Sequence, residues 1–212
     1  MTIQNRINRL LSYRHLLNRF KSLGMVKIFS DNIADPLGIS ASLVRKDFAI
    51  FGISGSKKGG YLIDSILGKI DQILGSDKVQ EVVIIGVGRI GEALMSYKGF
   101  YKDGIRIVAG FDIDVKKIRI KADIPIMPIE EFPQFIKTHN VKVAIMAVPD
   151  IAAQQTLEIL KSSHIQGILN FSPVKFKSTD EIVINNFNIE NELVNLIYFV
   201  NKHRSNEQEK QT

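Results

Sequence analysis

The segment Gly86-Val87-Gly88-Arg89-Ile90-Gly91 constrains this chain more than any other. Three glycines at that spacing mean little alone. Here an apolar run at residues 82–85 precedes them and helical periodicity follows. A second apolar run, residues 105–111, ends against Asp112, 21 residues beyond Gly91. Gly86 permits a tight turn, Gly88 lets the main chain approach a pyrophosphate, and Gly91 lets the helix lie close to the sheet. The unpaired N–H groups and dipole of that helix then suit phosphates. Asp112 is placed to accept hydrogen bonds from both ribose hydroxyls of an adenosine. No arginine follows it directly and its charge repels a 2′-phosphate, so the pattern favours NAD(H) over NADP(H). The alternative is a glycine-rich strand–helix turn that holds no ligand.

Further Val- and Ile-rich runs at residues 143–148 and 167–171, with helical stretches after Gly88, Ile129 and Asp150, extend the alternation. Strand–helix alternation of this kind predicts an α/β fold with a parallel sheet wrapped by helices. The spacing predicts a last helix over residues 190–203 that is apolar on almost every side, through Leu193, Val194, Leu196, Ile197, Tyr198, Phe199 and Val200. Such a helix needs cover from more than one direction, so a second subunit is expected over it. The polar tail from Arg204 is expected to be disordered.

The first third reads differently. Residues 1–76 hold 11 Lys+Arg and 5 Asp+Glu, whereas residues 77–212 hold 17 of each, so the whole net charge of +6 lies in the first third. A polyanion partner is the simplest reading, and a solvated basic face the other. Apolar residues at helical spacing (Ile3, Ile7, Leu10, Leu11, Leu17) predict a helix that Gly24 stops. A short helix capped by Ser30 is expected next, closing near Pro36 and Gly38. A third helix follows, over residues 41–51, capped by Ser40. In that helix Ala41, Val44, Phe48 and Phe51 form one stripe, and Ser42, Arg45 and Lys46 point away from it. This is a helix-turn-helix pattern. Arg45 can reach a guanine edge with two bonds, and Ser40, Ser42 and Lys46 suit phosphates or base edges. Residues 54–60, with Lys57 and Lys58, read as the turn of a wing laid on the DNA backbone or in a minor groove. A three-helix protein-interaction module fits the same pattern.

With no cysteine there is no disulfide, thiolate or thiol switch, so any redox sensing runs through a bound ligand. No apolar run approaches the ~18 residues of a membrane span. The first 20 residues, with Arg6, Arg9, Arg14 and Arg19, read as an amphipathic helix and not as a signal peptide, which leaves a cytoplasmic protein with no membrane as the expectation. The four histidines give no metal-ligand pair and no strand-end catalytic partner, so neither a metal nor an enzyme is expected. A small NAD-dependent oxidoreductase, or a regulator answering to another nucleotide such as CoA, remain as alternatives.

The sequence resembles the Rex family of bacterial redox-sensing transcriptional repressors along nearly its whole length. The resemblance rests on Tyr13-Arg14-His15-Leu16-Leu17, on the segment from Ser40 to Phe48, and on Gly86 to Gly91. It continues in Phe111-Asp112-Ile113-Asp114, Ala147-Val148-Pro149 and the segment from Ile168 to Val174. It implies a winged-helix DNA-binding domain (1–76), a Rossmann NAD(H)-binding domain (77–187) and a C-terminal helix (188–203) exchanged between the subunits of a homodimer, before the tail (204–212). It also implies binding to inverted-repeat operators in duplex DNA and release when NADH closes the dimer. By resemblance Arg14 couples the domains, Tyr97 lies near the nicotinamide, and Val148, Pro149 and Ile189 wall it. The family's aspartate before the last helix is here Asn188. The family's wing, Arg-Gly-Tyr-Gly-Tyr, is here Lys57-Lys58-Gly59-Gly60-Tyr61, a lysine gained and a tyrosine lost.

Overall fold

The structure is a computed structural model that describes residues 3–55 and 59–209, with side chains through residue 202; Lys57 and Lys58 lie outside the described residues. Contacts divide the chain into two compact units, Met1–Val79 and Gln80–Thr212, a boundary three residues beyond the expected one.

In the first unit, α1 (Ile3–Ser22) buries Leu10, Tyr13, Arg14 and Leu17 on one side. A short strand β1 (Lys27–Ile28), α2 (Ser30–Ala34) and a single 3-10 turn (Asp35–Leu37) follow. Gly38, at φ +62°, turns the chain where a side chain would be strained. The Ser40 hydroxyl then accepts from the Leu43 N–H at 3.2 Å and opens α3 (Ala41–Ile50). Strand β2 (Tyr61–Leu62) leads into α4 (Ile63–Leu74), whose Ile63, Ile66, Leu67 and Ile70 recur at i, i+3, i+4 and i+7 and are buried. Those side chains close one core with Leu10, Leu17, Ile33, Val44 and Phe48. Each such buried aliphatic side chain contributes about 1.5–3 kcal/mol.

One expectation changes here. Ser30 is not the cap of α2: its side chain turns inward, and the Asn32 Oδ1 accepts from the Phe29 N–H at 3.0 Å in its place. β2 pairs antiparallel with β1, Lys27 opposite Leu62 and Ile28 opposite Tyr61. The buried Ile53 donates its N–H back to the Phe48 carbonyl at the end of α3.

In the second unit β3 (Gln80–Ile85), β4 (Ile105–Asp112), β5 (Ile126–Pro128), β6 (Val143–Met146), β7 (Gly167–Asn170) and β8 (Val183–Asn186) form one parallel sheet in the order β5-β4-β3-β6-β7-β8. Along β3, Val83 and Ile85 enter one core while Val82 and Ile84 enter the other, on the opposite face. Burial on both faces is why these strands read as continuous apolar runs. Helices α5 (Arg89–Met95), α6 (Gly99–Lys102), α7 (Phe132–Thr138) and α8 (Asp150–Ser162) connect them. The chain builds outward from β3 to β5, then returns to β6 on the other side of β3. That reversal opens a crevice at the carboxyl ends of β3 and β6.

Strands β5 and β8 escape the sequence reading. β5 has three residues and ends in proline, and in β8 only Ile184 is buried between Val183, Asn185 and Asn186. The run at residues 143–148 stops as a strand at Met146, because Val148 and Pro149 leave the sheet for the crevice. The last helix, α9 (Ile189–Glu209), starts one residue early and runs six residues past the expected stop. Along it Leu193, Leu196, Ile197, Tyr198 and Phe199 are all at least half exposed.

Candidate nucleotide and nucleic-acid sites

The loop between β3 and α5 is built as its glycines require. Gly86 sits at φ +91°, and a Cβ there would lie 2.6 Å from the Ala147 carbonyl oxygen. A Cβ on Gly91 would press on the Gly86 carbonyl, so α5 lies against the turn only because that position is bare. A Cβ on Gly88 meets nothing within 4 Å. Gly88 therefore faces open space and is the place where a ligand can come close to the main chain.

That space is a crevice of about 350 Å³ lined by Gly86, Gly88, Asp112, Ile113, Val148, Pro149 and Ile151, among others. Its wall is apolar on the α8 side. Its charged lining is Asp112, 8% exposed, with Asp114 and Lys117. The Asp112 Oδ2 accepts from the Val87 N–H at 2.8 Å and from the Lys117 ammonium at 3.0 Å, and Oδ1 accepts from the Asp114 N–H at 2.9 Å. Burial alone would raise its pKa; the Asp114 N–H, Lys117 and the Val87 N–H outweigh it and hold the carboxyl below the usual carboxylate range. Val87 thus acts through its N–H, and its side chain is buried. Arg89 and Ile90 are exposed at the start of α5, where the first-turn N–H groups have no helical partner.

Lys117 was not legible beforehand. It lines the same crevice, brought back five residues beyond Asp112 by the short turn Val115–Lys117. Its ammonium offsets the repulsion that Asp112 by itself would exert on a 2′-phosphate, which weakens the charge argument for NAD(H) over NADP(H). Tyr97 is 59% exposed, packs edge-on against Phe100 and stands outside the crevice lining.

In the first unit, Ser40, Ser42, Arg45 and Lys46 are exposed together on α3, while Val44, Asp47 and Phe48 are buried behind them. The Ser40 and Ser42 hydroxyls are 2.9 Å apart. One Arg45 Nη donates to the Ser30 hydroxyl at 2.8 Å, so α2 steers that side chain. Asp47, which the stripe of apolar residues gave no reason to single out, accepts two bonds from Arg9 at 2.6 and 2.7 Å and one from the Tyr13 hydroxyl at 2.8 Å. Burial would raise the Asp47 carboxyl; the Arg9 and Tyr13 bonds outweigh it and hold it low. Burial and the Asp47 charge push the Tyr13 phenol well above its ordinary value.

Arg14 is buried within the first unit. It is 5% exposed and donates to the Ser76 hydroxyl at 2.9 Å and to Asp71 at 3.3 Å, at the end of α4. The Asn188 Oδ1 accepts from the Asn191 N–H at 2.9 Å and so caps α9. The fully buried Asn170, also unassigned beforehand, holds the turn after β7: its Oδ1 accepts from the Ser172 N–H and hydroxyl, and its Nδ2 donates to Val174 and Asn186. Among the described residues no cluster of His, Asp and Glu is placed to hold a metal ion, and no helix is long and apolar enough to cross a membrane.

A helix-turn-helix with a cationic outer face, in one chain with a switch-point nucleotide crevice, defines a ligand-responsive DNA-binding regulator. Residues 4–49 match the model of a "Putative DNA-binding protein N-terminus" and residues 77–174 that of a "CoA binding domain". The chain is 34% identical over 198 residues to a redox-sensing transcriptional repressor Rex of Oenococcus oeni, covering 91% of this chain and 90% of that one. It is 37% identical over 184 residues to the Rex of Pelotomaculum thermopropionicum, 86% of each. A crystal structure of RSP with NAD+ and operator DNA superposes with a TM-score of 0.91 at 28% identity, over 100% of this chain and 98% of that one. RSP with NADH gives 0.84 at 28% identity, over 98% and 99%. The chain belongs to the Rex family of redox-sensing transcriptional repressors. That family regulates transcription and is not enzymatic.

Proposed function

We propose that this protein binds an inverted-repeat operator in double-stranded DNA as a homodimer and leaves it when NADH fills the crevice. Ser40, Ser42, Arg45 and Lys46 on α3 face the major groove, and Lys57 and Lys58 the backbone or minor groove. Gly86 to Gly91 receive the pyrophosphate, Asp112 the adenosine ribose, and Val148 and Pro149 the nicotinamide side, with Tyr97 drawn toward it in the dimer. Arg14, Tyr97 and Asn188 carry the switch between the units. The second subunit covers α9. A repressor works beside the chromosome, which in bacteria such as O. oeni means the cytoplasm.

The observation that carries this reading is the crevice of Gly88, Asp112 and Pro149 in the same chain as the exposed Ser42, Arg45 and Lys46 of α3. The test is operator binding at fixed salt with NAD+, NADH, NADPH or CoA added. NADH alone should release the duplex at low concentration. A second reading, a CoA-responsive regulator, draws on the matched nucleotide-domain model and on Lys117, whose ammonium could meet a ribose phosphate. Release by CoA and not by NADH would establish that reading instead. Lys117→Ala sharpens the comparison: it should leave NADH release within a fewfold and weaken any response to NADPH.

A further inference from the structure

Of the three charged residues on α3, Arg45 and Lys46 face outward, whereas Asp47 is 1% exposed. Apolar packing by Val44 and Phe48 already fastens α3 to Leu10 and Leu17 of α1, so burial alone does not require a charge there. A buried ion pair is in any case weak evidence for stability. What it supplies is direction. The Arg9 guanidinium meets both Asp47 oxygens, through Nε at 2.6 Å and Nη2 at 2.7 Å, a fork that tolerates little rotation. The Tyr13 hydroxyl adds a third bond at 2.8 Å, and its ring stands edge-on to Phe48 at 5.8 Å. Both donors sit one turn apart on α1. The very next residue, Arg14, is the one buried against Asp71 and Ser76 at the end of α4. One helix is therefore pinned at adjacent residues to the DNA-facing helix and to the segment that leads out of the unit.

We propose that Arg9 and Tyr13 are positioning residues: through the Asp47 carboxylate they set the angle at which α3 presents Ser42, Arg45 and Lys46, and they make that angle follow the setting of α1 at Arg14. The proposal rests on the reading of α3 as the DNA-facing helix. A purely structural cluster would lower the melting temperature and leave base preference alone. A positioning cluster changes preference and switching while the phosphate contacts persist.

The experiment uses the full-length protein, a duplex selected by it from random sequence, and a scrambled duplex of equal length at the same salt. Wild type, Tyr13→Phe and Arg9→Lys are compared for both affinities, for the NADH concentration that releases the selected duplex, and for NADH affinity without DNA. Tyr13→Phe keeps the buried ring, and Arg9→Lys keeps the charge but loses the fork at a side chain that is 16% exposed, so neither opens a cavity in the core nor leaves Asp47 without a partner. The selected-to-scrambled preference should narrow about fivefold in each, as expected for one mispositioned hydrogen-bonding group. The midpoint of NADH release should shift, with NADH affinity in the absence of DNA unchanged within twofold. Variants that melt lower yet keep wild-type preference and wild-type release overturn the proposal. A wild type with no preference for any duplex would instead overturn the assignment of α3, and this proposal with it.

Discussion

Arg45 extends from α3 with one nitrogen anchored on Ser30, a hydroxyl that is itself 6% exposed and cannot swing away. That anchor holds the guanidinium in place, so less side-chain entropy would be lost in the proposed contact with DNA. Arg45→Ala should cost about 1–3 kcal/mol of base discrimination, and Ser30→Ala a smaller share, about 0.5–1.5 kcal/mol, with Arg45 still present. Competition between duplexes that differ at single base pairs measures both. Equal loss at every position would mean that Arg45 touches only phosphate. A second residue-scale prediction concerns acid. Asp47 and Asp112 both titrate lower in the folded chain than the ~3.9 of an unfolded aspartate. Each therefore contributes stability that is fully present above about pH 4 and is lost as pH falls through its folded value. Melting of wild type and Asp47→Asn should differ most near pH 7 and converge as pH drops toward 2; a constant gap would show that Asp47 is not ionised in the fold. These residues also mark what sequence could not disclose. Gly86, Gly88, Gly91 and Asp112 were legible because their roles depend on local spacing. Asp47 with Arg9, and Ser30 with Arg45, are joined across 38 and 15 residues by folding alone, and nothing in periodicity announces such pairs.

At the scale of elements, the strand–loop–helix from β3 to α5 separates two jobs of glycine that the sequence pattern merges. Gly91 is bare because α5 lies on the Gly86 carbonyl, whereas Gly88 is bare with nothing near it. Gly91→Ala should therefore destabilise the nucleotide unit, by about 1–3 kcal/mol as for other overpacked sites, and blunt ligand binding as a consequence. Gly88→Val should melt close to wild type and still fail to bind NADH, because the added methyls fill the approach to the main chain. Thermal melting with and without NADH distinguishes them, and a destabilised Gly88→Val would refute the separation. The same division by burial explains which elements could be read. β3, β4, β6 and β7 are covered by cores on both faces and so are continuously apolar. β5 and β8 lie at the sheet edges, where three residues with a proline, or one isoleucine among asparagines, leave no run to find. α9 was legible as apolar all round, but its continuation through polar residues to Glu209 was not, since no apolar stripe marks it.

For the whole molecule, the exposed Leu193, Leu196, Ile197 and Phe199 of α9 and the switch belong to one question if the proposed homodimer forms through α9, because a ligand can move DNA affinity only by favouring one arrangement of the protein over another. Replacing Leu196 and Phe199 by glutamate should yield a monomer by light scattering, with the melting of each unit little changed and operator binding lost. Whatever factor NADH takes from DNA affinity, DNA must take from NADH affinity. The two redox forms differ chiefly at the nicotinamide, where NAD+ carries a ring charge. In the proposed placement, the nicotinamide meets the apolar side chains of Val148, Pro149 and Ile151, which would disfavour that charge through desolvation once the site is covered. Selectivity for NADH should thus reside in this wall and survive changes at Asn188. The strength of coupling is another matter. Asn188 caps α9 through the Asn191 N–H, so Asn188→Ala removes a cap worth about 1 kcal/mol as well as any bond to Arg14, and its effect would be ambiguous. Asn188→Asp keeps the cap; if the proposed switch pairs this residue with Arg14, the added charge should strengthen the NADH-bound arrangement by about 1 kcal/mol and lower the releasing NADH concentration about fivefold. Titrating NADH against bound DNA, and DNA against bound NADH, must give the same factor in each variant. If Asn188→Asp releases at the wild-type concentration, Asn188 is outside the switch and Tyr97 is the residue to change next. If NAD+ releases wild type as readily as NADH, the apolar wall is not what reads the redox state.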